Sequence, residues 1–295
     1  MKRTFSKFFA ATLLAGAGTV ALLACPLVYV VNFSGQFGLL DVGTGVFTPV
    51  GPGLANTPTG IAGAPGGPFY TVDGVTGHLL RINRDGTNTD VGDTRTGSNN
   101  GPTGLSLIGS LLDGTMYGID FSNRLYRINT NTGVTQALQV LSLPPQEQQY
   151  DGNMLTSLTG DASYLYYTLE IVDGQRKLPP TIFTIDPVKQ QVINSKPMSK
   201  VVTQAIGSGM INGVLYLFGG LGQVYRADPA TGTASVVSKY DAGNIPDGPP
   251  LTGIFGAVNN AEPGPSKAPE ITVAPEAPLR HTEWMPRHWP RLPKQ

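Results

Sequence analysis

Four oxygen-bearing side chains recur at one place in this chain. Asn32, Asp73, Asp120 and Glu170 each close a short β-branched or aromatic run: Val28-Tyr29-Val30-Val31-Asn32, Phe69-Tyr70-Thr71-Val72-Asp73, Met116-Tyr117-Gly118-Ile119-Asp120 and Tyr166-Tyr167-Thr168-Leu169-Glu170. Hard oxygen ligands in such a partial ring could coordinate Ca²⁺ or hold sugar hydroxyls. A fifth run, Leu215 to Gly219, ends in glycine and breaks the series. The competing reading is that each side chain only starts a hairpin turn by bonding to its own backbone.

Other chemistries lack their parts. A Ser-His-Asp arrangement needs a histidine on the folded domain, and His78 is alone there, on or beside a turn, where a surface role suits it. One histidine and a single cysteine, Cys25, leave no zinc set beyond carboxylates, and no disulfide can form within the chain. Glycoside hydrolysis needs two carboxyl groups about 5 to 9.5 Å apart. Gly219-Gly220-Leu221-Gly222 lies between two strands, whereas a phosphate-cradling loop opens a helix. A hydrolase or lactonase would have to rely on the loop carboxylates Asp151, Asp241 and Asp247, which share no motif.

These residues need elements to hold them, and the chain repeats its elements. A second run follows each of the first: Phe37-Gly38-Leu39-Leu40-Asp41, Leu79 to Asn83, Leu125 to Asn129, Ile182 to Asp186 and Val224 to Asp228. Turns such as Thr130-Asn131-Thr132-Gly133 come next, with Asn or Asp to start them and Gly to close them. A third run follows each turn. Before each Tyr-bearing run lies one of small residues, such as Thr59-Gly60-Ile61-Ala62 or Thr103-Gly104-Leu105-Ser106. Naming these strands a, b, c and d, with a the small one, the chain begins at b near Leu27 and ends on a lone a at Leu251 to Asn259.

Spacings of 41, 47, 50 and 49 residues separate Tyr29, Tyr70, Tyr117, Tyr167 and Tyr216, near the period of about 40 to 50 residues per propeller blade. The expected fold is all-β: a five-bladed β-propeller of four-stranded blades over residues 26–259. Small side chains suit the innermost strand, where blades converge. The last a strand is expected to complete the blade begun by the N-terminal b, c and d, because an open array would leave edges unpaired. The b-to-c and d-to-a loops then share one face, and they are the long ones. The motif Leu-Tyr-x-Ile-Asp/Asn followed by Thr-Gly, as in Leu125 to Gly133 and Val224 to Gly232, resembles secreted bacterial β-propeller repeat proteins, mostly of unassigned activity. The resemblance implies fold and compartment and lends no catalytic residue.

The ends differ from the middle. Lys2, Arg3 and Lys7 precede an apolar stretch from Phe8 to Ala24, the layout of an export signal over residues 1–25. Leu22-Leu23-Ala24-Cys25 resembles a lipobox, which makes Cys25 a candidate lipidation site; cleavage by an ordinary signal peptidase and an uncleaved anchor are the alternatives. Residues 260–295 hold eight prolines in 36 positions and read as a Pro-rich tail without a core. The formal charge is zero and only 14% of residues are charged, which argues against nucleic acid. The expectation is a secreted, periplasmic or cell-surface protein, with membrane contact only through an N-terminal lipid. It binds a glycan, peptide or protein at the loop-rich face without a cofactor unless Ca²⁺ serves; a hydrolase and a structural envelope protein are the alternatives.

Overall fold

The computed structural model describes residues 26–95, 104–143, 153–172, 177–240 and 253–259. The expected export signal over residues 1–25 with Cys25, residues 260–295 and Asp151, Asp241 and Asp247 lie outside the described residues. No helix among the described residues is long and apolar enough to cross a membrane.

The described chain is all-β, and its strands fall into the a, b, c and d classes. The a strands are β4 (Ala62–Gly63), β8 (Leu105–Ser110), β12 (Asn153–Gly160), β16 (Ala205–Ile211) and β20 (Ile254–Asn259). The b strands are β1 (Leu27–Asn32), β5 (Phe69–Val72), β9 (Met116–Asp120), β13 (Leu165–Val172) and β17 (Val214–Gly219). The c strands are β2 (Phe37–Asp41), β6 (His78–Ile82), β10 (Arg124–Ile128), β14 (Lys177–Asp186) and β18 (Gln223–Ala227). The d strands are β3 (Phe47–Pro49), β7 (Asn88–Asp93), β11 (Thr135–Val140), β15 (Gln191–Pro197) and β19 (Ala234–Lys239).

Sheet 2 is β4 to β7, sheet 3 is β8 to β11, sheet 4 is β12 to β15 and sheet 5 is β16 to β19, each an antiparallel meander. The four strands of sheet 1 come from both ends of the described chain. Strand β20 pairs antiparallel with β1, Val28 facing Asn259 and Val30 facing Ala257, and β2 and β3 follow. A single parallel bridge, Ser208 to Gly256, links sheets 5 and 1. The Thr59 to Ala62 run is strand only at β4; ahead of it lies an isolated bridge between Pro58 and Asp73.

The a strands touch in a cycle: β4 lies against β8, β8 against β12, β12 against β16, β16 against β20, and β20 against β4. Glycine makes this approach possible. A Cβ on Gly207 would sit 1.9 Å from the Ile254 carbonyl oxygen, and one on Gly209 would sit 2.6 Å from that of Ala257. Farther out, the b and c strands alternate their side chains between two neighbouring sheets. Five apolar clusters result, one per seam: Tyr29 and Phe69 join sheets 1 and 2, Tyr70 and Ile108 join 2 and 3, and Tyr117 and Tyr167 join 3 and 4. Tyr166 and Leu217 join 4 and 5, and Phe218 and Val30 join 5 and 1. Each seam therefore stabilises two sheets at once, at about 25 cal/mol per Å² of apolar surface removed from water.

Candidate functional site

All four predicted site residues are buried at the b-to-c end of their sheets, but they do not do the same thing. Asn32 closes a local ring: its Oδ1 accepts from the Gln36 amide at 2.7 Å and the Ser34 hydroxyl at 3.1 Å, and its Nδ2 donates to Gln36 Oε1 at 2.9 Å. Asp73 Oδ1 accepts from the Val75 and Thr76 amides, and Oδ2 accepts from Asn56 Nδ2 at 2.7 Å. Burial alone would raise this carboxyl, but the bonds from Asn56, Thr76 and Val75 outweigh it and hold Asp73 below the usual aspartate range. Asp120 Oδ1 accepts from the Ser122 and Arg124 amides, and Oδ2 accepts from the Tyr126 hydroxyl at 2.8 Å. Burial and that bond push the Tyr126 phenol up to about 12. These three are turn caps with occupied oxygens.

Glu170 departs from the series, and strand register explains why. Ile119 faces Leu125 across sheet 3, and its counterpart facing Ile182 in sheet 4 is Thr168. The residue aligned with Asp120 is therefore Leu169, one position before Glu170. The repeated tyrosine in sheet 4 is likewise Tyr166 rather than Tyr167, since Tyr166 pairs with Thr184 as Tyr117 pairs with Arg127. A one-residue shift turns a side chain to the other face of its sheet. Glu170 thus crosses the seam to sheet 5, where its carboxyl accepts from the Gln204 and Ala205 amides. The equivalence expected for Asn32, Asp73, Asp120 and Glu170 holds for the first three only.

What Glu170 meets is unusual for a buried acid. Its Oε2 is enclosed and has no hydrogen-bond partner among the described residues. Burial outweighs the two amide bonds and raises its pKa, and no charged side chain among the described residues contributes to the shift. Polar side chains enter this otherwise apolar seam. Thr168 stands where Val31, Val72, Ile119 and Phe218 stand in the other sheets, and it shares a hydrogen bond with Ser157. Across the seam, Ser208 is 1% exposed and its Oγ also lacks a partner. Buried polar atoms left without partners cost about 1 to 3 kcal/mol each, so a pair flanking one seam is a departure that stability does not explain.

Gly219, the break in the series, leaves a mark of its own. Gln223 occupies the place that Gln36 holds in sheet 1, but no side chain answers it, and its buried Oε1 is unpartnered among the described residues. His78 is the first residue of β6, and its Nδ1 lies 2.7 Å from Asp90 Oδ2. Among the described residues no three of His, Cys, Asp and Glu come together to hold a metal ion. Asp73, Asp120 and Glu170 do not converge as such a group. Sequence reading also passed over Asn56 and Tyr126, the partners of Asp73 and Asp120; the second carries a signal, being the Tyr of the Leu-Tyr-x-Ile-Asn motif.

No family model and no curated protein matches the chain. Among solved structures, a streptogramin B lyase is 11% identical at a TM-score of 0.38, over 73% of this chain and 69% of that one. A protein of unknown function from Bacteroides thetaiotaomicron is 14% identical at 0.49, over 81% and 62%. BamB from Moraxella catarrhalis is 15% identical at 0.35, over 74% and 61%. Likeness at this level assigns no role to any residue of this chain.

Proposed function

We propose that the chain is an exported, five-bladed β-propeller, closed where the C-terminal strand joins the N-terminal three, and that it binds its ligand without catalysis. The cycle of a strands, the five seam clusters and the β20–β1 pairing support the blade count and the closure. The export signal, with Cys25 as the candidate lipidation site, supports a secreted, periplasmic or cell-surface location.

The observation that carries the binding reading is Glu170. Its neighbours at the same end of the fold, Asn32, Asp73 and Asp120, spend their oxygens on their own turns and on Asn56 and Tyr126. Glu170 keeps one oxygen without a partner at the loop-bearing end of the seam between sheets 4 and 5. That oxygen is enclosed by the described residues, so a hydroxyl or amine of a glycan, peptide or protein would satisfy it once side chains at that end of the seam move aside. A single acid with no second titratable group acting on it among the described residues suits recognition better than acid–base chemistry, which calls on a matched pair. Ca²⁺ at this end would need ligands from beyond Glu170.

Screening the protein on an array of polysaccharides and cell-surface peptides, then repeating the screen with Glu170→Gln, tests the site. Loss of a hydrogen bond to a charged group is worth about 1.5 to 3 kcal/mol, or roughly 10- to 100-fold in affinity. Equal binding by both proteins would remove Glu170 from the account.

A further inference from the structure

The seam between sheets 4 and 5 is built differently from the others. Its middle is apolar, with Tyr166, Ile182 and Leu217 in one cluster. On the inner and loop-bearing sides of that middle the lining is polar. Sheet 4 supplies Ser157 and Thr168, opposite one another and hydrogen-bonded, and then Glu170. Sheet 5 supplies Ser208, which stands opposite Leu217, and Gln223, which lies two residues before Tyr225 and so on the same face of β18. Glu170 Oε2, Ser208 Oγ and Gln223 Oε1 are all enclosed without hydrogen-bond partners among the described residues, and all three belong to this seam. Thr59 Oγ1, just ahead of β4, is a comparable atom elsewhere in the ring.

Packing is thin at the opposite end of the same seam. A groove of about 620 Å³ runs between sheets 4 and 5, bounded by Asp161 and Tyr166 on one side and by Met210, Leu215 and Ala227 on the other. Tyr166, Met210, Leu215 and Ala227 are members of the seam's apolar cluster, so the groove undercuts it. At the loop-bearing end Gln204 holds a φ of 53°, a left-handed conformation that side chains disfavour, and its amide is one of the two that Glu170 engages. Close packing and satisfied polar groups hold a seam shut. Both are deficient here.

We infer that sheets 4 and 5 part at the loop-bearing end of their seam while the ring stays closed elsewhere, and that this opening is the gate through which a ligand reaches Glu170, a step that rests on Glu170 being the binding residue. A gate is needed because Oε2 is enclosed when the seam is shut. Opening hydrates polar atoms that lack partners in the closed ring. The same movement in other seams would expose Val31, Val72, Ile119 or Phe218 to water with no such gain. Binding elements are drawn from the segments of lowest local stability.

Thiol accessibility tests the gate. In the full chain carrying Cys25→Ser, Ser208→Cys places a thiol in this seam, and Ile108→Cys places one at the matching position of β8, in the seam between sheets 2 and 3. Both parent residues are 1% exposed. Methyl methanethiosulfonate should modify the Ser208→Cys thiol at least about 10-fold faster, well below the unfolding transition, although the larger cavity left by Ile108→Cys works against that outcome. Adding Thr168→Val and Ser157→Ala to the Ser208→Cys chain makes the lining apolar and should slow its labelling about 10-fold. In the chain without substitutions, amides of β13 and β16 should exchange ahead of those of β8 and β9. Equal labelling of the two thiols, labelling only on global unfolding, or uniform exchange protection would overturn the inference. A seam that stays closed while Glu170→Gln loses binding on the array removes the gate and leaves Glu170 as the binding residue. A seam that opens in a protein whose Glu170→Gln variant binds like the parent removes Glu170, and the gate's role with it.

Discussion

Glu170 and Asp73 are carboxyl groups at the same end of the fold, yet protons act on them in opposite directions. Burial raises Glu170, so the folded state keeps its proton where the unfolded chain has lost it. Its contribution is fully present below the unfolded value of 4.5 and is lost as pH rises through the folded pKa. Asp73 is held low by Asn56 and two amides, so its contribution is present above the unfolded value of 3.8 and is lost as pH falls through the folded pKa. Melting curves between about pH 4 and pH 8 should show Glu170→Gln stabilising the fold at the upper end and flattening its decline there; an unchanged profile would mean that the carboxyl is solvated. Removing a satisfied cap acts differently. Asp120→Ala strands two backbone amides and the buried Tyr126 hydroxyl, and urea unfolding should register a loss of about 1 to 3 kcal/mol.

At the scale of the strand, the sequence reports composition well and register poorly. The recurring tyrosine, the Asn or Asp before each c-to-d turn and the small a strands were all legible, because pleat, turn and crowding each demand particular residue types. Sheet 4 shows where legibility ends. Tyr166 and Tyr167 both fit an aromatic strand, and only their cross-strand partners, Thr184 and Phe183, decide which one faces sheet 5. That choice moves Glu170 from an expected cap to a seam. The tight a strands make a separate prediction. Gly207→Ala would drive a Cβ into the Ile254 backbone, and overpacking of this kind costs about 1 to 3 kcal/mol, whereas Gly220→Ala meets its nearest atom, the flexible Gln204 Oε1, at 3.4 Å and should cost less than half as much. Denaturant midpoints of the two variants would decide it.

For the whole molecule, everything turns on how the ends meet. A meander of four sheets with a three-stranded first sheet would leave β1 with a bare edge and the sheet 5–sheet 1 cluster half exposed. Strand β20 covers that edge, and Val28, Val30, Val31 and Ile254 are fully buried as a result. The complementary start at b and finish at a pointed in the sequence to the pairing of β20 with β1. Deleting residues 254–295 should therefore unfold the first sheet or the whole chain, while deleting 260–295 should leave the melting temperature within a degree or two. Hydrogen exchange resolved by mass spectrometry tests closure most directly, because exchange protection reports the free energy needed to open each segment. Amides of residues 254–259 should be protected as strongly as those of β1 and should exchange together with them as denaturant is added. Rapid exchange of 254–259 while β9 and β13 remain protected would contradict a ring closed by that strand.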